Sequence, residues 1–170
     1  MRRLNYPRLG GGWFLLVCGI LAACQPEPVV TPAPDLSAYL QTLPTPVYQY
    51  QNNPLTPAGF ALGRQLFYDP GLSKDGTISC GSCHQQAAAF ADLNRPVSRG
   101  IAGKSGTRNT PALANLRWNP NFFADGGVNH LELVPLAPLT NPVEMDGELP
   151  GIIRKLNRNP AYVTAFKQVF

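Results

Sequence analysis

The sequence predicts an all-α domain of short helices joined by long loops. Three observations predict it. No stretch alternates apolar and polar residues with the period of a half-buried strand. Pro (18) and Gly (16) make up a fifth of the 170 residues, which excludes coiled coils and long-helix bundles. Helix starts recur: Thr56-Pro57, Thr110-Pro111 and Asn159-Pro160 each place a capping side chain before a proline at the first helical position. With 44% hydrophobic residues the chain can bury a core, and wholesale disorder is excluded.

Residues 1–23 read as a secretion signal. Arg2, Arg3 and Arg8 form a positive start, and the apolar run Trp13 to Ala23 is short for a membrane span and ends in small residues. Cys18 lies inside that run and leaves with it. Leu21-Ala22-Ala23-Cys24 resembles the lipobox of bacterial lipoproteins. That resemblance implies lipid on Cys24 and, with Gln25 behind it rather than Asp, attachment to the outer membrane. The expected location is therefore the periplasmic side, tethered and not spanning. Residues 24–34 hold four prolines and little hydrophobic pattern, an extended tether. The folded domain is expected over residues 35–170.

Within it, Asp35 caps a short helix through Leu40, and residues 43–55 read as coil. A helix from Pro57 carries Phe60, Leu62, Leu66 and Phe67 as its apolar stripe and is stopped by Asp69-Pro70-Gly71. A second begins at Cys80 and runs to about Gln86. Residues 92–109 form a long loop, and Thr110-Pro111 starts a helix through Leu116. Residues 118–147 are mostly loop. Leu149 to Leu156 is a helix, and Asn159-Pro160 opens the last, with Tyr162, Phe166 and Phe170 on one face.

Without residues 1–23 the formal net charge falls from +4 to +1. A nearly neutral chain with no block of like charge offers no footprint for nucleic acid. Four helices and long loops also make a thin core, so a large apolar body is expected to complete it.

Cys80-Gly81-Ser82-Cys83-His84 is C-x-x-C-H, the attachment motif of c-type haem. Two thiols three residues apart on one helical turn can add across the two vinyl groups of one haem. The next residue then places an imidazole as axial ligand to the iron. Structural zinc would have to recruit His130 as its fourth ligand. A redox C-x-x-C wants a βαβ context that the sequence lacks. A disulfide across two residues would be strained and leaves the histidine unexplained. One covalent haem c is the expected cofactor, and a secreted chain suits it.

The segments GRQLFYDPGLSKDGTISCGSCH, GKSGTRNTPALAN, FFADGGVNHLE and PLTNPVEM, in that order, resemble the N-terminal half of bacterial di-haem cytochrome c peroxidases and MauG-like proteins over residues 55–170. The resemblance implies a cytochrome c-like domain carrying the peroxidatic haem, which reduces hydrogen peroxide with electrons from a small donor, a cytochrome c or a cupredoxin. It makes Cys80 and Cys83 the thioether residues and His84 the proximal ligand. Arg108, Asn109, Thr110 and Pro111 become the segment over the haem edge, and Asp125-Gly126 part of the family's W-D-G turn. Glu144 becomes the catalytic acid. A carboxylate over an open iron face can take a proton from one peroxide oxygen and return it to the other. Met145 is then a packing residue.

The pattern is not complete. One C-x-x-C-H is present, and the sequence given ends at Phe170, near where the family's second haem domain begins. This implies either part of a di-haem protein or a single-haem form fed by a separate donor. Ala124 falls where the family has tryptophan, and Val134 where it has a distal glutamine. Residues 85–117 hold no histidine to cap the iron, so an open face without reductive activation is expected. His130 reads as a loop histidine, and Trp118 as a packed aromatic beside Pro120. The alternative functions are a single-haem electron carrier with Met145 as second ligand, a MauG-like oxidase, and an inactive haem-binding remnant.

Overall fold

The computed structural model describes residues 41–50, 52–93 and 95–170. The helix expected before Leu40, the tether and Cys24 lie outside the described residues. The chain divides into two compact units, Met1–Pro44 and Thr45–Phe170, and every named element belongs to the second.

Five α-helices are present among the described residues, joined by 3₁₀ turns and coil, with only isolated β-bridges in place of strands. The all-α expectation is met. The helix α1 (Pro57–Tyr68) starts as the sequence requires, with Thr56 Oγ1 accepting from Gly59 N at 3.0 Å. Asp69 ends it and caps the 3₁₀ turn that follows, its Oδ1 accepting from Gly71 N at 2.7 Å.

Next comes α2, a single turn over Cys80–Cys83. The expected continuation to Gln86 does not form. Gln85 pairs its backbone with Ala91 instead of extending the helix, its N–H donating to Ala91 O at 2.9 Å. The helix expected from Pro111 to Leu116 is also absent: that stretch is coil, and a 3₁₀ turn spans Leu116–Trp118. Thr110 is buried, and its Oγ1 caps nothing and has no hydrogen-bond partner among the described residues. Asn115 at φ 56° then breaks the chain direction. Residues 118–147 are mostly loop, interrupted by a 3₁₀ turn at Leu131–Leu133 and the short α3 (Leu136–Thr140). The helices α4 (Leu149–Asn157) and α5 (Pro160–Val169) follow, and Asn159 Oδ1 caps α5 by accepting from Ala161 N at 3.0 Å.

Helix α1 packs on α2 and α5, and α4 on α5. Leu72, Met145 and Ile152 form the buried centre, with Leu66, Ile78, Leu139, Leu149 and Leu156 around it. Met145 is 3% exposed there, a core side chain as expected. The link between α1 and α2 is fastened into that core. Lys155 Nζ on α4 donates to Gly71 O and Ser73 O, each at 2.9 Å. Lys74 N donates to Met145 O at 3.0 Å, and the fully buried Ser73 donates from its hydroxyl to Pro70 O. On the other side, Tyr162 of α5 donates its phenol to Asp69 Oδ2 at 2.6 Å. Burial and the facing carboxylate push that phenol up to about 12.

Candidate haem-binding and acid–base site

The single turn of α2 is held at both ends. Ser79 N donates to Ser82 Oγ at 3.0 Å, and His84 N to Cys80 O at 2.8 Å. Gly81 lets α1 come close: a Cβ there would lie 2.5 Å from the Tyr68 ring. Cys80 and Cys83 are half-buried free thiols. Burial pushes both thiols up, and at Cys83 the carboxylates of Asp92 and Glu144 add to the effect. Both therefore stay protonated near neutral pH.

His84 is oriented by the turn after it. Its Nδ1 lies 2.8 Å from Phe90 O. A carbonyl only accepts, so Nδ1 carries the proton and the lone pair sits on Nε2. Phe67 of α1 flanks both partners, its ring 6.5 Å from the imidazole and 5.9 Å from the Phe90 ring.

Glu144 belongs to a tight turn that begins at Asn141. Asn141 Nδ2 donates to Glu144 Oε1 at 2.8 Å, while its Oδ1 accepts from Val143 N at 3.1 Å. Glu144 N returns to Asn141 O at 3.0 Å. One carboxylate oxygen of Glu144 is thereby anchored by Asn141.

The segment 99–101 ties this turn to α2. Ile101 N donates to Glu144 O at 2.7 Å, and Cys83 Sγ donates to Arg99 O at 3.4 Å. Gly100 sits between them, where a Cβ would fall 2.2 Å from Val143 O. The Glu144 backbone and the C-x-x-C turn thus both lie against this one short segment. Sequence reasoning singled out the acid and the thiols but missed Phe90, Gly100, Ile101 and Asn141. Only Asn141-Pro142, a turn signal three residues before Glu144, left a trace in the sequence.

The remaining expected site residues spread outwards. Arg108 and Asp125 form an exposed ion pair at 3.2 Å. The Gly127 N–H, and then Arg108, hold the Asp125 carboxyl below its ordinary range. Asn109 Nδ2 donates to Arg95 O at 2.6 Å, and Pro111 is exposed. His130 is exposed, with its ring edge-on to Tyr48 at 6.1 Å; the Tyr48 hydroxyl donates to Glu132. Ala124 is exposed, Val134 and Trp118 half-buried.

The donor set fits a covalently held haem. It offers two unbridged thiols on one turn and a neighbouring imidazole with Nδ1 anchored and Nε2 free. No group of three or more His, Cys, Asp or Glu residues that could hold a bare metal ion is present among the described residues.

A family model described as Di-haem cytochrome c peroxidase matches residues 57–170. The methylamine utilization protein MauG of Methylorubrum extorquens is 34% identical over 167 residues, covering 93% of this chain and 47% of that protein. Cytochrome c551 peroxidase of Pseudomonas aeruginosa is 34% identical over 134 residues, 79% of this chain and 38% of that one. Among solved structures, a MauG-like protein associated with microbial copper homeostasis superposes with a TM-score of 0.68 at 35% identity, over 82% of this chain and 40% of the other. The chain spans less than half the length of each of these relatives.

Proposed function

The chain belongs to the di-haem cytochrome c peroxidase family, and on that premise we propose that it is the cytochrome c-like half that binds one haem c and reduces hydrogen peroxide to water. The observation that carries the reading is the donor set: two unbridged thiols on one turn, followed by an imidazole whose Nδ1 is anchored. Arg99 O lies 3.4 Å from Cys83 Sγ and Ile101 N bonds to the Glu144 backbone, which sets an acid–base carboxylate beside the haem-attaching turn.

Cys80 and Cys83 would hold the group through thioethers and His84 through Nε2, with Arg108, Asn109 and Pro111 as further binding residues. When bound, haem c supplies the iron at which electrons reach peroxide. Phe90 O holds the His84 proton on Nδ1 and keeps Nε2 directed away from it. Asn141 fixes Glu144 Oε1, and the carboxylate takes a proton from one peroxide oxygen and delivers it to the other. The reaction consumes two electrons and two protons and yields two waters. A small reduced protein, a cytochrome c or a cupredoxin, is the proposed electron source.

The proposed location is the periplasmic side, with residues 1–23 removed and Cys24 lipidated at the outer membrane. The arginine-led apolar start and the lipobox-like Leu21-Ala22-Ala23-Cys24 support it. No described helix is long and apolar enough to cross a membrane. The burial of Met145 among Leu72 and Ile152 weighs against the carrier reading, in which its sulfur would have to reach the iron.

The test is the absorption spectrum of the haem-matured protein before and after one equivalent of hydrogen peroxide. The expected result is a five-coordinate high-spin spectrum that changes on mixing. A low-spin spectrum indifferent to peroxide would sink the reading.

A further inference from the structure

The Asp92 side chain is 1% exposed, yet the chemistry proposed above does not use it. Its Oδ1 accepts from Gln85 Nε2 at 3.2 Å. Its Oδ2 lies 3.6 Å from Arg95 Nη1 and makes no hydrogen bond among the described residues. Burying a carboxylate with half its acceptor capacity unused is costly. A residue retained under that cost calls for a role.

Its position supplies one. Gln85 directly follows His84, and Asp92 lies two residues beyond Phe90, whose carbonyl takes the His84 proton. Between them the chain folds into a turn closed by Gln85 N to Ala91 O and Phe90 N to Gln85 O, both 2.9 Å. Inside it Ala89 and Phe90 stand at φ 53° and 61°. Two consecutive side-chain-bearing residues in the left-handed region are strained, Phe most of all. Such a turn persists only where its ends are clamped. The side-chain bond from Gln85 to Asp92 lies across those ends.

We propose that Asp92 is a positioning residue which, through Gln85, clamps the 85–92 turn and so fixes the Phe90 carbonyl against His84 Nδ1. The inference rests on reading His84 as the iron ligand. A firm Nδ1–H···O bond makes Nε2 a stronger donor, so the clamp strengthens the iron–histidine bond at a distance from it.

The experiment is resonance Raman spectroscopy of the ferrous, haem-loaded full chain, following the iron–histidine stretch. Asp92→Ala and Gln85→Ala both shift the stretch to lower frequency. Asp92→Asn keeps an oxygen to accept from Gln85 and restores the wild-type frequency. Half-buried Gln85 provides the readout where Asp92→Ala fails to fold. Wild-type frequency in both Asp92→Ala and Gln85→Ala would overturn the proposal, because a merely structural residue lowers thermal stability without moving the stretch. If the wild-type spectrum holds no band that His84→Ala removes, the assignment of His84 fails instead, and the two failures are told apart.

Discussion

Thr56-Pro57 and Thr110-Pro111 are the same dipeptide with opposite outcomes. Thr56 caps α1, which packs on α5, buries Leu62 and sets Leu66 against the core. Thr110 caps nothing, and the residues after it stay in coil with Pro111 and Ala112 exposed. The contrast extends to the regions around them. Residues 57–84 and 136–170 are bound together by buried apolar side chains, the Lys155 clamp and the Tyr162–Asp69 bond. Among residues 107–135, Phe122 is the buried hydrophobic side chain, and Phe123 beside it is exposed. A capping signal starts a helix only where a face of that helix has something to pack against.

If that difference is real, equal truncations must have unequal costs. Met145→Ala empties the centre of the core and is expected to lower unfolding free energy by about 2–5 kcal/mol, whereas Phe123→Ala stays within about 0.5 kcal/mol. Denaturant titration of both variants checks this, and similar costs would break the comparison. Next in size is Tyr162→Phe, which removes a hydrogen bond to a carboxylate at an expected loss of about 1.5–3 kcal/mol. Its pH dependence sharpens the test. The phenol is raised from 10.0 to about 12 in the folded chain, so its contribution is complete below pH 10 and lost as pH climbs through 12. Wild type should lose stability across that window, and Tyr162→Phe should lose less. Gly100→Ala forces a methyl onto Val143 O and should cost about 1–3 kcal/mol, with peroxide turnover falling as Glu144 is displaced. The smallest effect is expected in the looser region. Arg108→Ala breaks an exposed ion pair and should leave the melting temperature unchanged within error.

What could be read from the sequence was local or strongly patterned. Thr56-Pro57 and Asn159-Pro160 located two helices through capping chemistry that the fold uses as written. Cys80, Cys83 and His84 stand out as candidates because the spacing itself is the chemistry, and Glu144 through its resemblance. The turn from Gln85 to Ala91 was not legible. It ends α2 early to bring a backbone carbonyl to His84, and a carbonyl leaves no mark in residue type. Gly100 was equally hidden, since its close approach to Val143 joins residues 43 apart in sequence. The coil after Pro111 shows the reverse failure, a valid local signal without tertiary support.

The central claim is that Glu144, anchored by Asn141 beside the C-x-x-C turn, moves the peroxide proton. The most direct measurement is stopped-flow mixing of haem-loaded wild type and Glu144→Gln with one equivalent of hydrogen peroxide, at equal haem content. The expected result is a rapid spectral change in wild type and a rate about 10²–10⁴-fold slower in the variant, with the starting spectrum unchanged. Equal rates in the two proteins would contradict it.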